Sequence, residues 1–226
     1  MAFRNSFVPE GFYHLYNRGT DKRNIFSRPV DYERFLALLY LSNGTKPIRI
    51  DNFSKYCERG ETLLSYALEQ DRGKSLVDIC VYCLMPNHFH LLVTEKDEGG
   101  VSKFMQKLTT GYTMYFNKRY ERNGTLFQGV FKSSLADNDR YLKYLLSYIH
   151  LNPVKLIDPK WKEDGIADKK AAKKFLRNYP YSSYLDYCGR KREESALIVP
   201  FALPQYFPTV KEFETEILEW LSATSM

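Results

Sequence analysis

Residues 76–95 constrain the fold more than any other stretch of the 226-residue chain. LVDICVYCLM is a continuous apolar, β-branched and aromatic run, Pro86-Asn87 turns the chain, and HFHLLVTE returns. Two such runs joined so tightly read as an antiparallel pair, and their near-continuous apolarity places them centrally in a sheet. The remaining elements must pack around that pair. FYHLYNRG reads as an earlier strand ended by Gly19, with Phe12, His14 and Tyr16 on one face and Tyr13, Leu15 and Asn17 on the other. A helix is expected from Pro29 to Leu41, with Pro and acids in its first turn and Tyr32, Phe35, Leu36 and Leu39 as its apolar stripe. Another is expected over Val101–Lys118. After the Asn123-Gly124 turn, TLFQGVFKSSLA (125–136) reads as a fourth strand.

The order strand, helix, strand, strand, helix, strand predicts an α+β, ferredoxin-like fold: a four-stranded antiparallel sheet with two helices on one face. Residues 43–76 form a polar excursion with a short helical candidate at Glu61–Gln70. A further helix is expected over Asp139–Leu151, because Asp137, Asn138 and Asp139 offer caps and Pro153 forces an end. Beyond it come a Lys-rich stretch, the aromatic YPYSSYLDY and an acidic amphipathic helix over Val210–Leu221.

Net charge is +6, unevenly spread. Residues 102–133 hold six Lys/Arg and one acid, and residues 159–192 hold ten Lys/Arg and four acids. Aromatics reach 15%, with 18 Tyr against 2 Trp. Basic blocks interleaved with rings suit nucleic acid, where cations meet phosphates and rings stack on bases; a solvated surface has the same composition. No apolar run approaches the roughly 20 residues that span a bilayer, and MAFRNSFVPEGF lacks an apolar core of signal-peptide length. Four cysteines without disulfide-scaffold spacing suit a reducing compartment. The expectation is a cytoplasmic protein without membrane contact.

The chemistry concentrates in few residues. Of the four histidines, His88 and His90 are separated by one residue on a predicted strand. Period-two geometry puts both imidazoles on one face, while Phe89, Leu91 and Val93 point toward the two packed helices. Two imidazoles there can hold one divalent cation if another element supplies a third ligand, or they can be satisfied structural histidines. Tyr148 and Asn152, four apart, share a face of the last-named helix. Asn152 offers an amide oxygen to a hard metal and Tyr148 a phenol nucleophile; equally, Tyr148 fits a core stripe with Tyr141 and Leu145, and Asn152 fits a helix end before Pro153.

MPNHFHLLV, GTLFQGVFKS and YLKYLLSYIHLNPVK, with YHLYNRG and NYPYSSY, resemble the single-tyrosine transposases of the HUH endonuclease superfamily. The likeness is to the REP-associated tyrosine transposases of the insertion-sequence-200-like branch and runs over roughly residues 8–187. It implies that residues 1–157 are the catalytic domain, with 43–76 as an excursion. Residues 158–226 would be a C-terminal extension, basic then acidic, packed on the same domain. The helix carrying Tyr148 would lie on the sheet face opposite the other two. By the same resemblance His88 and His90 match metal-binding histidines, Asn152 a third ligand, and Tyr148 the nucleophile. Val130 stands where Arg is commoner. Mg²⁺ or Mn²⁺ is the implied cofactor, and single-stranded or hairpin DNA the implied partner, for a monomer or homodimer that is nucleoid-associated when bound. Gln128 and Lys132 fit DNA contacts by resemblance. Arg18, Lys103, Lys107, Arg119 and Arg122 are further candidates for a DNA groove.

The implied reaction is metal-dependent cleavage and joining of a DNA strand through a 5′-phosphotyrosine. A free phenol has a pKa near 10, so about one in a thousand is ionised at pH 7, a cost of roughly 4 kcal/mol that a bound cation could offset. Two other readings compete. Cys80-x-x-Cys83 raises zinc, but residues three apart on a regular strand point to opposite faces. A non-catalytic single-stranded nucleic-acid binder derived from a transposase would share the aromatics and the charge.

Overall fold

The structure, a computed structural model, describes residues 7–47 and 61–219. Four strands, β1 (Phe12–Arg18), β2 (Val77–Met85), β3 (His88–Glu95) and β4 (Lys132–Leu135), form one antiparallel sheet in the order β2-β3-β1-β4. Helices α1 (Pro29–Ser42) and α3 (Gly100–Arg119) cover one face, and α4 (Asp139–Leu151) lies against the other. This is the α+β, ferredoxin-like arrangement expected from the element order. The excursion carries α2 (Leu63–Glu69), capped by Thr62. Residues 48–60 of it, including Cys57, lie outside the described residues.

The alternation of apolar residues builds two cores on one sheet. Leu15, Phe89, Leu91 and Val93 pack with Phe35 and Leu39 of α1 and Phe104, Leu108 and Tyr112 of α3. Leu92, Cys80, Val81 and Cys83 face the other way, onto Leu142, Leu145, Leu146 and Ile149 of α4. Each fully buried Leu or Phe contributes roughly 1.5–3 kcal/mol relative to exposure, so a sheet with two apolar faces is held from both sides. Local chemistry sets the helix starts. Pro29 opens α1, and the buried carboxylate of Asp31 accepts from the amides of Ser27 and Arg28 and from the hydroxyls of Tyr115 and Tyr120. Asn138 caps α4 by accepting from the Tyr141 amide at 2.8 Å.

The second core extends through the C-terminal part of the chain. Helices α5 (Trp161–Asp164), α6 (Lys169–Leu176), α7 (Tyr184–Tyr187) and α8 (Val210–Glu219) bring Trp161, Leu176, Tyr184, Phe213 and Ile217 onto α4 and β2. The aromatic YPYSSYLDY segment is ordered by the edge strand: Tyr179 donates its hydroxyl to the Leu84 carbonyl at 2.6 Å, and the Leu84 amide donates to the Tyr181 carbonyl.

Three local expectations need correction. Of the strand pair placed centrally, β3 is interior but β2 is a sheet edge, its apolar run buried by helices on its faces and by the 181–183 segment along its outer side. The fourth strand, read over 125–136, forms only at Lys132–Leu135. Phe127 makes an isolated bridge to Gly19 and the Gln128 amide donates to the Arg18 carbonyl, but Gly129 at φ 75° then bends the chain out of register, so the continuous ladder starts only at Lys132. In β2, the register shifts between Ile79 and Val81. That bulge places both Cys80 and Cys83 in the α4-side core rather than on opposite faces. Burial pushes both thiols up from their ordinary range.

Candidate active site

The site lies where β1 and β3 meet the end of α4. In the sheet register Arg18 lies opposite His88 and Tyr16 opposite His90. The imidazoles therefore project from the face that α1 and α3 leave open. Asn152 follows the last residue of α4, and the chain tightens there into a 3-10 turn, Asn152–Leu156, that Pro153 initiates. His88, His90, Tyr148 and Asn152 line one cleft of about 640 Å³. The ring centres of His90 and Tyr148 are 5.5 Å apart. Of the three tyrosines stacked along α4, Tyr141, Tyr144 and Tyr148, only Tyr148 lines the cleft.

A chain of hydrogen bonds fixes the donor atoms. Asn87 donates its amide N–H to the Lys22 carbonyl at 3.1 Å, so its Oδ1 accepts from His88 Nδ1 at 2.6 Å. That leaves the His88 Nε2 as a bare lone pair. Asn152 donates its amide N–H to the Tyr148 carbonyl at 3.2 Å, which turns its Oδ1 toward that lone pair at 3.4 Å. Two acceptors thus face each other. Their separation is within a few tenths of an ångström of the ~3.0 Å between adjacent ligands on an octahedral ion about 2.1 Å from each. On the other histidine, His90 Nδ1 pairs with His14 Nε2 at 2.8 Å, leaving the His90 Nε2 as the nitrogen still available.

Burial dominates the electrostatics of the histidines. It lowers His14 to about 4 and, with the Arg18 guanidinium adding to it, His88 to about 4; the Asn152 side chain opposes the shift at His88. It holds His90 well below its ordinary value, with His14 adding to the effect. All three imidazoles are neutral at pH 7, the form that binds metal. Among the described residues no three His, Cys, Asp or Glu side chains are grouped to hold a metal ion; the further oxygen donor that faces His88 is the Asn152 amide. The cleft wall carries Arg18, Lys22, Lys132, Lys155 and Lys162 and no carboxylate among the described residues.

The sequence-derived candidates divide between two places. Arg18, Gln128 and Lys132 line the cleft with the histidines. Lys103, Lys107, Arg119 and Arg122 sit on or just after α3, across the sheet. Lys103 is exposed; Lys107 donates to the carbonyls of Gly44 and Lys46; Arg119 pairs with Asp31 at 3.7 Å; Arg122 lies over the Phe116 ring. His150 is buried and bonded to Ser183, away from the cleft. Sequence reasoning missed Lys22, Asn24, Lys155, Trp161 and Lys162. Lys155 was within reach, being three residues past Asn152 on the continuing turn. Lys22 and Asn24 come from the tight turn after β1, and Trp161 and Lys162 from α5, elements too short to carry a periodic signal.

Comparison with known proteins follows the same lines. The family described as "Transposase IS200 like" matches residues 56–152. No curated protein matches the chain. Among solved structures, a REP-associated tyrosine transposase bound to a REP hairpin superposes with a TM-score of 0.52 at 12% identity, covering 86% of this chain and 90% of that one. The tRNA(His) guanylyltransferase of Saccharomyces cerevisiae aligns at a TM-score of 0.34 and 11% identity, over 97% of this chain and 80% of that one, which is too low to bear on the fold. Residues 56–152, which contain His88, His90, Tyr148 and Asn152, are thus similar to the IS200-like transposases, and the chain as a whole has the fold of a REP-associated tyrosine transposase.

Proposed function

We propose that the chain is a metal-dependent DNA strand transferase that cleaves single-stranded or hairpin DNA through a 5′-phosphotyrosine intermediate. The observation that carries this reading is the pair of acceptors, His88 Nε2 and Asn152 Oδ1, aimed at each other beside Tyr148 in a cleft whose described charged residues are all basic. Two lone pairs at 3.4 Å repel unless a cation lies between them. The donor set fits Mg²⁺ or Mn²⁺, with His88, His90 and Asn152 as holders; the two imidazoles favour Mn²⁺. Such an ion would supply Lewis-acid polarisation of the scissile phosphate and neutralise its developing charge.

The remaining steps belong to this chain's residues. Arg18 and the cleft lysines bind the flanking phosphates. Tyr148, set one helical turn before Asn152, presents its phenol oxygen to the phosphorus. The new O–P bond forms as the bond to the 3′-oxygen breaks. The phenol proton ends, through solvent, on the departing 3′-hydroxyl. The phosphodiester's energy is kept in the phosphotyrosine, so the strand can be rejoined without ATP.

The test uses a pool of internally labelled hairpins with varied single-stranded tails, incubated with Mn²⁺. The expected product is a denaturation-resistant protein–DNA adduct retaining label 3′ of the cut. Tyr148→Phe should lose it while still binding DNA; Tyr144→Phe and Tyr141→Phe should keep it. His88→Ala with His90→Ala should abolish it with the fold intact. An adduct that survives both histidine changes and EDTA refutes the metal reading. DNA binding without any adduct identifies the chain as a non-catalytic single-strand binder.

A further inference from the structure

The surroundings of Tyr148 are completed by residues beyond the matched segment. The turn after α4 folds back and is tied to it: Asp158 donates its amide to the Val154 carbonyl, Trp161 donates its amide to the Asp158 carbonyl, and the Asp158 carboxylate accepts from the Ala167 amide at 3.0 Å. Trp161 is 2% exposed in the second core and stacks on Tyr148, ring centres 6.3 Å apart and planes 28° from parallel. That anchor leaves the next residue little choice of direction. Lys162 holds its ammonium 4.8 Å from the centre of the Tyr148 ring, within the cleft wall. It has no carboxylate partner among the described residues; the Tyr144 phenol is the polar group beside it. An exposed ammonium so held, in a cleft with no acid among the described residues, has a phosphate as its natural counter-ion.

We propose that Lys162 is a further catalytic residue, contacting a non-bridging oxygen of the phosphate that Tyr148 attacks and of the phosphotyrosine that results. The proposal rests on the reading of Tyr148 as nucleophile. Lys162 keeps its protons throughout and supplies charge where the phosphate gains it, while Trp161 positions it. The C-terminal part of the chain would thus contribute directly to the reaction rather than only packing on the catalytic fold.

Two measurements test it. In a Tyr148→Phe background, binding of a mixed-sequence single-stranded 20-mer is followed against NaCl. Lys162→Met should flatten the slope of log affinity against log salt by about 0.7, one phosphate contact on a single strand, and Lys162→Arg should restore it. An unchanged slope, or no measurable binding, overturns the contact. In the Tyr148 enzyme, single-turnover adduct formation should fall roughly 100-fold in Lys162→Met, as for loss of one donor aimed at transition-state charge, and recover largely in Lys162→Arg. An unchanged rate overturns the catalytic role. The binding slope does not depend on cleavage, so it changes even where the nucleophile assignment fails. Equal melting temperatures for the variants exclude a loss of fold, since the Lys162 side chain is exposed.

Discussion

At the residue scale, the histidines show how one burial serves two ends. His14 is 6% exposed and, unlike His88 and His90, belongs to no sequence motif that marks it for metal, yet it holds His90 by its Nδ1. Its own value is lowered by burial from an ordinary 6.5 to about 4. The sign follows directly. Between those two values the unfolded chain binds a proton that the folded chain refuses, so the stabilisation is complete above pH 6.5 and is lost as the pH falls toward 4. The loss from this one imidazole is on the order of 3 kcal/mol. Urea denaturation of the metal-free protein should therefore show a falling midpoint from pH 7 to pH 4.5. His14→Gln, which cannot charge, should flatten that dependence. A dependence equally steep in the variant would place the acid lability elsewhere.

At the element scale, the nucleophile helix is held by what packs on its back. Phe213, Ile217 and Leu218 of α8 join the core that contains Leu142, Leu145 and Ile149 of α4. The grip of α8 depends on Glu214, 3% exposed, whose carboxylate accepts from Arg177 Nε at 2.6 Å, from Arg177 at a second nitrogen at 2.8 Å, and pairs with Lys173 at 2.9 Å. Burial pushes this carboxyl up, but the bonds from Arg177 and Lys173 outweigh it and hold it down at about 2. Arg177→Ala should cost about 1–3 kcal/mol, since it removes charge-assisted hydrogen bonds. Removing Lys173 as well leaves the buried carboxylate without a cation, held only by the Tyr184 hydroxyl at 3.2 Å and the Cys188 thiol at 3.6 Å, and the loss should reach about 3–5 kcal/mol by chemical denaturation. A double variant no worse than the single one would show that the ion pairs, though short, do not secure α8. The bulge in β2 belongs to this scale too. One extra residue turns Cys80 and Cys83 inward together, where they act as small apolar fillers of the same core.

At the scale of the whole molecule, the sheet separates two environments. One face is closed by α1 and α3; the other carries the cleft with its five Lys/Arg. No helix among the described residues is long and apolar enough to cross a membrane. If DNA binds in the cleft, affinity should fall linearly with log salt, with a slope approaching −3.5 when all five cations meet single-strand phosphates at about 0.7 each. Lys103→Ala, across the sheet, should leave that slope unchanged, whereas Lys132→Ala should reduce it. The reverse result would move the DNA path to the α3 face. A preference for plain duplex over hairpins or single strands would exclude the proposed substrate class.

What the chain's own pattern determined was local. Period-two alternation in HFHLLVTE dictated that His88 and His90 share a face and that Phe89, Leu91 and Val93 take the other. The four-residue spacing of Tyr148 and Asn152, stopped by Pro153, dictated a common helical face. Element order implied the sheet; the residues by themselves left His88, His90, Tyr148 and Asn152 open between a functional and a structural role, and the family resemblance supplied the functional one. Packing between elements decided the rest. Which of many lysines reach the cleft depends on how loops return, so Lys22 and Lys162 enter it while Lys103 and Lys107 do not. The pairing of His14 with His90 depends on strand register, and the facing of Cys80 and Cys83 on a bulge that only the partner strand defines. The late start of the fourth strand hangs on a left-handed glycine that interrupts the pairing begun at Phe127. Periodicity describes each element about its own axis; how two elements meet is set by the shapes and charges between them, and those exist only in the folded chain.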